Sequence, residues 1–309
     1  MPKLSILVPV YFNEQNLPTT IPALLSIANQ LPTGMGCELI FVDDGSRDGS
    51  YAILREAAQN DQRIKIVQLS RNFGAYMALL AGLDAAKGEC ISVIMADLQD
   101  PPELIIDMVK EWQAGHKIVI ASRMKREDAW RDRVFASLFW KFMRRFAMRD
   151  LPKDGFDFIL FDKVVADIVR SAREKNSHFM LQVFQTGFHF KEITYTRRLR
   201  QAGRSRWTFS KKLKLFIDSS IAFSYVPVRA MSFVGICTAI TGFLIAGYYI
   251  TYRLFYQVDI QGWTSIMVAI LVIGGLQMTM LGIIGEYIWR TYDETRNRPP
   301  YIVSEKINL

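Results

Sequence analysis

Three clusters of oxygen-bearing side chains punctuate the first hundred residues, and each follows an apolar run. Residues 9–14 read PVYFNE, residues 42–50 read VDDGSRDGS, and residues 96–103 read ADLQDPPE. In the last cluster Asp97 and Gln99 offer a carboxylate and an amide carbonyl two positions apart. On a strand end such positions point to one side, so the two are expected to converge on one site. Hard oxygen donors of this kind suit Mg2+ or Mn2+ completed by substrate phosphates and water. The competing reading is a plain strand-to-helix turn, capped by Asp100 and stopped by Pro101 and Pro102. Asp43, Asp44 and Asp48, spaced by Gly45 and Gly49, make an acidic loop that can accept hydrogen bonds from a nucleobase or ribose. A site gripping bare phosphate would favour lysine or backbone N–H groups. The same letters are also good turn chemistry. Tyr11 and Glu14 add an aromatic face and a further carboxylate, a pairing that suits a base and its sugar.

The elements that must position these clusters are legible as periodicity. Strands are expected over 4–10, 37–44, 64–70, 90–97 and 116–122, with helices over 16–29, 50–60, 74–87 and 102–114 between them. Near-continuous apolar strands alternating with helices predict an α/β domain, its mostly parallel sheet covered by helices on both faces. In such sheets ligands bind beyond the carboxyl ends of the strands, where all three clusters fall. Two later segments, 130–148 and 207–223, mix aromatics with Arg and Lys at helical spacing. They are read as interfacial amphipathic helices, against the alternative of ordinary helices packed on the sheet.

Half of the 309 residues are hydrophobic, but they are segregated. Residues 230–252 carry no formal charge between Arg229 and Arg253, and residues 260–285 carry none between Asp259 and Glu286. Each run is long enough to cross a hydrocarbon core of about 30 Å, so a two-helix transmembrane hairpin is expected at about 230–252 and 262–288. Lys211, Lys212, Lys214 and Arg229 precede the pair, and Arg290, Arg296 and Arg298 follow it. The positive-inside rule then places a domain over 1–225 and a tail over 291–309 in the cytoplasm. A net charge of +8 accompanies no helix-turn-helix, zinc-finger or aromatic RNA-binding pattern, so the basic excess is assigned to anionic lipid and phosphate-bearing substrates, with no nucleic acid. No GxGxxG follows a strand and no GxxxxGK[ST] loop exists. Cys37, Cys90 and Cys237, like His116, His178 and His189, lack metal spacing and are read as structural.

In combination, PVYFNE, VDDGSRDGS, RNFG (71–74), AGLDAAKGE (81–89) and ADLQDPPE make residues 4–125 resemble a family 2 glycosyltransferase of the GT-A type. With its apolar hairpin and RPPYIV ending, the whole chain is similar to polyisoprenyl-phosphate glycosyltransferases. The GtrB-type bactoprenol glucosyltransferases are nearest in pattern, and dolichyl-phosphate mannose synthases more distant. The resemblance implies that Pro9, Tyr11, Glu14, Asp43 and Asp44 surround the nucleotide of a sugar diphosphate, with Asp97 against the diphosphate. It implies that Asp97 and Gln99 hold the divalent metal. Two positions depart from the pattern: Met95, where relatives often have another Asp, and Ala75, where many have a polar or basic residue. Arg123 resembles an arginine near the family's active centre. Arg131, Arg133 and Ser137 fall where relatives gather groups for the lipid phosphate, and Arg133 with Ser137 is the favoured pair. Asp157 is the implied catalytic base, although an acceptor phosphate is already largely ionised at neutral pH. Arg200, Arg204, Ser205 and Arg206 lie in a basic loop that relatives order over the phosphates.

The resulting expectation is inverting transfer of a hexose, with glucose from UDP-glucose favoured, onto undecaprenyl or another polyisoprenyl phosphate at the cytoplasmic face of a bacterial inner membrane. GDP-mannose, UDP-GlcNAc or a UDP-aminopentose are alternative donors. An inactive membrane scaffold is the alternative from another class. A processive synthase fits poorly, because Gln201 stands at the wrong spacing from Arg206-Trp207 for QxxRW. Small residues in the spans (Gly235, Gly242, Ala246; Gly274, Gly275, Gly282) would let them pack closely, with each other or in a homo-oligomer.

Overall fold

The computed structural model describes residues 3–123, 130–148, 150–152, 156, 158–172, 174, 178–196, 209–256 and 262–309. In chain order the elements are β1 (Leu4–Val10), α1 (Leu17–Gln30), β2 (Cys37–Asp43), α2 (Ser50–Asn60), β3 (Ile64–Leu69), α3 (Ala75–Ala85), β4 (Cys90–Val93) and α4 (Leu104–Gln113). These are followed by β5 (Ile118–Arg123), α5 (Trp130–Phe146), β6 (Phe158–Asp162), α6 (Lys163–Ala172), α7 (Phe179–Gln185) and β7 (Phe190–Tyr195). The chain ends with α8 (Phe209–Phe223), α9 (Val226–Tyr256), α10 (Trp263–Thr295) and β8 (Val303–Ile307).

The strands form one sheet in the order β7-β5-β6-β4-β1-β2-β3-β8. β4, β1, β2 and β3 are parallel neighbours, and β5 and β7 run parallel to each other. β6 is antiparallel to both β4 and β5, and β8 is antiparallel to β3. β1 is apolar along almost its whole length because both of its faces are covered. Leu4, Ile6, Val8 and Val10 pack into one core with Leu17 and Leu24 of α1, Leu54 of α2 and Ile105 of α4. Leu7 and Val42 turn the other way, against α3. Gly82 permits that approach, since a Cβ there would stand 3.0 Å from Val42 Cγ2. Packing of α3, α6 and α7 against one another extends this second layer.

The five strands and four helices read from periodicity are all present. β6 was not expected. It enters the sheet between β4 and β5 and separates two strands that are neighbours among the sequence-predicted five. β7 and β8 were not expected either.

The described chain divides into two compact units, Met1–Asp218 with Pro299–Leu309, and Ser219–Arg298. The C-terminal residues, expected as a tail, therefore end as a strand of the sheet. Pro299 and Pro300 cannot continue α10. Beyond them the Tyr301 hydroxyl donates to Asp84 Oδ2 at 2.5 Å and the Ile302 carbonyl accepts the Ser70 N–H at 2.9 Å. The Tyr51 hydroxyl donates to Glu305, and the Asn308 amide donates to the carbonyls of Ala58 and Ile64, both at 2.9 Å. Because the chain leaves this unit at Asp218 and rejoins it at Pro299, α9 and α10 are an out-and-back pair.

Both helices are long and apolar enough to cross a membrane, over Val226–Tyr252 and Ile266–Thr295. Their surfaces are dominated by exposed apolar side chains, Phe243, Leu244, Leu271 and Met278 among them. Gly235 meets the Met280 side chain between the two helices. In the first unit, α5 and α8 are joined by Phe216, whose ring lies 5.2 to 6.4 Å from those of Phe142, Phe139 and Phe135. These three α5 residues share one helical face.

Asn308 holds a left-handed backbone (φ 60°) that asparagine tolerates better than most residues, and its amide bridges the carbonyls of Ala58 and Ile64. Asn308→Ala is expected to cost about 1–2 kcal/mol, lowering the thermal midpoint of the sheet-bearing unit by about 2–6 °C. Thermal unfolding in detergent checks this, and an unchanged midpoint would mean that the Asn308 amide adds nothing to the unit's stability.

Candidate active site

Because β4, β1 and β2 are parallel neighbours, their carboxyl ends lie side by side and present the three acidic clusters along one edge. The first two clusters are stitched together by backbone-to-side-chain bonds. The Phe12 N–H donates to Ser46 Oγ at 3.0 Å, and the Asn13 N–H to Ser50 Oγ at 2.9 Å. The Gly49 N–H donates to Glu14 Oε2 at 3.0 Å. The chain after Val10 thus turns through a left-handed Phe12 (φ 56°), a conformation costly for a bulky residue and held here by the neighbouring loop.

The two aspartates at the end of β2 differ in environment. Asp44 is buried, and its two oxygens accept the N–H groups of Phe73 (2.7 Å) and Gly74 (2.9 Å) in the RNFG loop. Gly45 makes this meeting feasible: at φ +70°, a Cβ on it would lie 2.6 Å from the Arg71 carbonyl carbon. Arg71 in turn lays its guanidinium 4.1 Å from the centre of the Phe73 ring. Burial pushes the Asp44 carboxyl up to about 6, with the two N–H groups and Arg71 pulling down and Asp43 pushing up. Asp43 is also raised, first by burial, with Ser46 and Gln68 opposing it. Its Oδ1 accepts the Ser46 N–H at 3.2 Å, while its buried Oδ2 has no hydrogen-bond partner among the described residues. A buried acceptor left open at a strand end fits a ligand N–H or O–H. Between the neighbours, Asp44 is the residue that holds the loop and Asp43 the one with an acceptor to offer.

The third cluster departs from its expected geometry. β4 ends at Val93, so Asp97 and Gln99 are not on an extended strand and strand alternation does not bring them together. The turn is instead built on a left-handed Leu98 (φ 46°), with the Gln99 N–H donating to Asp97 Oδ1 at 3.3 Å. It is anchored from α1 by the Thr20 hydroxyl, which donates to the Ala96 carbonyl at 2.7 Å. Met95, half-buried, gives its carbonyl to the Leu98 N–H. Asp100 does not cap α4; it is buried and accepts the hydroxyl of Tyr195. Among the described residues no group of three or more His, Cys, Asp or Glu could hold a metal by itself. One carboxylate and one amide oxygen fit an ion that takes its remaining ligands from a diphosphate and water, and do not fit an all-protein cage.

Pro9 is half-buried near the end of β1, opposite Val42, and Tyr11 lies just beyond the strand with its ring edge-on to Phe12 at 4.6 Å. Arg123 is the last residue of β5, in register with Tyr195. Arg131 and Arg133 lie in the first turns of α5, and Ser137, one turn later, is exposed. Asp157, Arg200, Arg204, Ser205 and Arg206 lie outside the described residues. Sequence reasoning missed the hydroxyls of Thr20, Ser46, Ser50 and Tyr195. Only Ser46 and Ser50 carried a local signal, as serines of a DDGS-type turn. Burial pushes the Cys37 thiol up to about 12 and the Cys90 thiol up as well, which disfavours the thiolate form of both.

Residues 5–164 match the family described as Glycosyl transferase family 2. Over 306 residues the chain is 40% identical to the glycosyltransferase YkcC of Bacillus subtilis (strain 168), covering 99% of this chain and 94% of that protein. It is 32% identical over 304 residues to the SfII prophage-derived bactoprenol glucosyl transferase of Shigella flexneri, covering 98% of each. Among solved structures, glucosyl-3-phosphoglycerate synthase of Mycobacterium tuberculosis in complex with Mn2+, UDP-glucose and phosphoglyceric acid superposes with a TM-score of 0.51 at 14% identity, covering 70% of this chain and 78% of that one. This last likeness is one of fold.

The Asp44 carboxyl gives the loop a pH signature. Its folded value of about 6 lies above the unfolded 3.8, so its contribution to stability is full below the lower value and is lost as pH rises through the upper one. The thermal midpoint of the wild type, relative to Asp44→Asn, should therefore fall between about pH 4 and pH 7. A midpoint difference that is constant across this range would show that Asp44 titrates as an ordinary carboxylate.

Proposed function

The chain belongs to glycosyl transferase family 2, with bactoprenol glucosyl transferases among its full-length relatives, and on that premise we propose that it moves glucose from UDP-glucose to a polyisoprenyl phosphate at the cytoplasmic face of a bacterial inner membrane. The observation that carries this reading is the joining, in one chain, of the acidic edge at β1, β2 and β4 with two membrane-length helices that depart from and return to the same unit. Phosphate acceptors with long lipid tails are chemically suited to such a molecule, because only their headgroups reach water.

In this reaction an oxygen of the lipid phosphate attacks the anomeric carbon as the bond from that carbon to the UDP oxygen breaks. The configuration inverts, giving a β-linked lipid-phosphate sugar and UDP. Tyr11 and Asp43 hold the base and ribose, the open Asp43 oxygen accepting from the nucleoside. The Asp44–RNFG contact keeps Asp43 and its loop in place. Asp97 and Gln99 would hold Mg2+ or Mn2+, which offsets charge on the departing diphosphate. The acceptor enters from the side of Arg123 and α5, where Arg131, Arg133 and Ser137 receive its phosphate. Arginine forks match phosphate oxygens. Asp157 orients the nucleophile or takes the last proton of a monoanion. Arg200, Arg204, Ser205 and Arg206 cover the phosphates and keep water out.

The outer surfaces of α5 and α8 support a membrane-surface role. Leu138 and Phe146 on α5, and Leu213 and Ile217 on α8, are exposed beside Lys141, Arg145 and Lys214. An apolar stripe rimmed by cations suits the boundary between headgroups and acyl chains. Arg229 in the first turn of α9, Arg290 near the end of α10, and Arg296 and Arg298 just beyond it support the cytoplasmic placement of the sheet-bearing unit.

The test is to incubate the full-length protein with Mg2+ or Mn2+, undecaprenyl phosphate and radiolabelled nucleotide sugars, and to count label in the organic phase. UDP-glucose alone should label the lipid, and Asp97→Ala should lower transfer by about 100-fold or more, the scale of losing a group that stabilises transition-state charge. Label from GDP-mannose, UDP-GlcNAc or a UDP-aminopentose would overturn the donor and keep the acceptor. Intact UDP binding without transfer from any donor would favour a scaffold.

A further inference from the structure

One buried polar contact near the site is used by none of the roles above. Asp100, the final residue of the DLQD turn, is 1% exposed, and Tyr195, the final residue of β7, is 5% exposed. The Tyr195 hydroxyl donates to Asp100 Oδ1 across a sequence separation of 95 residues. A turn that had only to reverse the chain would leave its aspartate in water, where turn aspartates ordinarily lie. Burying that carboxylate carries a desolvation cost, and an apolar pair of similar volume would fill the same space more cheaply. What a buried hydrogen bond supplies instead is a defined distance and orientation between the two segments that carry it.

Both segments lead to the site. On one side, Asp100 belongs to the turn of Asp97 and Gln99, whose other end is fixed by the Thr20 hydroxyl on the Ala96 carbonyl at 2.7 Å. On the other, Tyr195 stands in register with Arg123 in the parallel β5–β7 ladder, where the chain runs on from Arg123 toward α5. That ladder is tied by a second side-chain bond, from the Ser122 hydroxyl to Glu192. The end of β7 and the DLQD turn are thus joined through side chains, although β7 and β4 are separated in the sheet by β5 and β6.

We propose that the Tyr195–Asp100 hydrogen bond is a positioning link, which sets the donor-side turn of Asp97 and Gln99 in register with the acceptor-side strand end of Arg123. Asp100 and Tyr195 act through these neighbours and are assigned no contact with substrate. The inference rests on the glycosyl-transfer reading above and adds residues to it. It predicts that the link governs how well a bound donor is presented to the acceptor, more than whether nucleotide binds at all.

The test uses the full-length protein in lipid nanodiscs with Mn2+, UDP-glucose and undecaprenyl phosphate, comparing wild type, Tyr195→Phe, Asp100→Ala and the double variant. Tyr195→Phe should lower kcat/KM for the lipid phosphate about tenfold, the scale of one hydrogen bond to a carboxylate. The Kd for UDP with Mn2+ should stay within about twofold, while the thermal midpoint falls by only the few degrees expected of losing one buried hydrogen bond. The two single losses should not multiply in the double variant, because each removes the same bond. An acceptor kcat/KM equal to wild type in Tyr195→Phe would overturn the proposal. So would multiplying losses, or parallel losses of UDP binding and thermal stability, which would assign the pair to folding alone. If Asp100→Ala does not fold, Tyr195→Phe decides. A wild type that transfers sugar from no donor would overturn the reaction itself, and so is distinguishable from failure of the link.

Discussion

Placing a carboxylate inside a protein at the end of a parallel strand obliges the surrounding chain to supply hydrogen-bond donors, and Asp44 shows how much structure follows. Its two oxygens take N–H groups from Phe73 and Gly74, so the loop after β3 must reach over the end of β2. Gly45 must then lack a side chain, because the Arg71 backbone passes where a Cβ would be. With that loop fixed, Asp43 is held by the Ser46 N–H while its second, buried oxygen has no hydrogen-bond partner among the described residues. The loop after β1 is carried along, since Phe12 and Asn13 donate to Ser46 and Ser50. One desolvated charge thus organises three strand ends, and removing its partners would leave a group costly to bury.

The same economy governs the opposite edge of the sheet. β8 closes the open side of β3 with residues that lie beyond both long apolar helices, and Tyr301, Glu305 and Asn308 bind it to α3, α2 and the β3 entry. An unpaired β3 would be an exposed edge of Ile64, Ile66 and other apolar residues, the kind that pairs with foreign strands. Using the chain's own terminus for this also requires an even number of crossings between Asp218 and Pro299, which is consistent with a hairpin.

Much of this was legible in residue patterns, and the parts that were not share a cause. The five strands and four helices of the N-terminal half announce themselves through local periodicity, as do the two long apolar helices. The DLQDPPE cluster was correctly placed after the fourth strand. Its internal geometry was misjudged, because the strand stops at Val93 and Leu98 turns left-handed under restraints from Thr20 and Tyr195, far away in the chain. β6 escaped notice for a similar reason: FILFD is too short for its pairing to be read, and insertion between β4 and β5 is a fact of topology.

By itself, then, the sequence determined which chemical groups exist, which ones end strands, and which stretches are too apolar for water, since each depends on neighbours a few residues apart. The tertiary structure alone decided which of two adjacent aspartates holds the RNFG loop and which keeps a buried oxygen without a partner among the described residues. It decided that Asp100 answers to Tyr195 and that the final residues complete the sheet. Those outcomes turn on burial and on hydrogen bonds between residues from about 29 to more than 250 positions apart, distances over which no local pattern carries information.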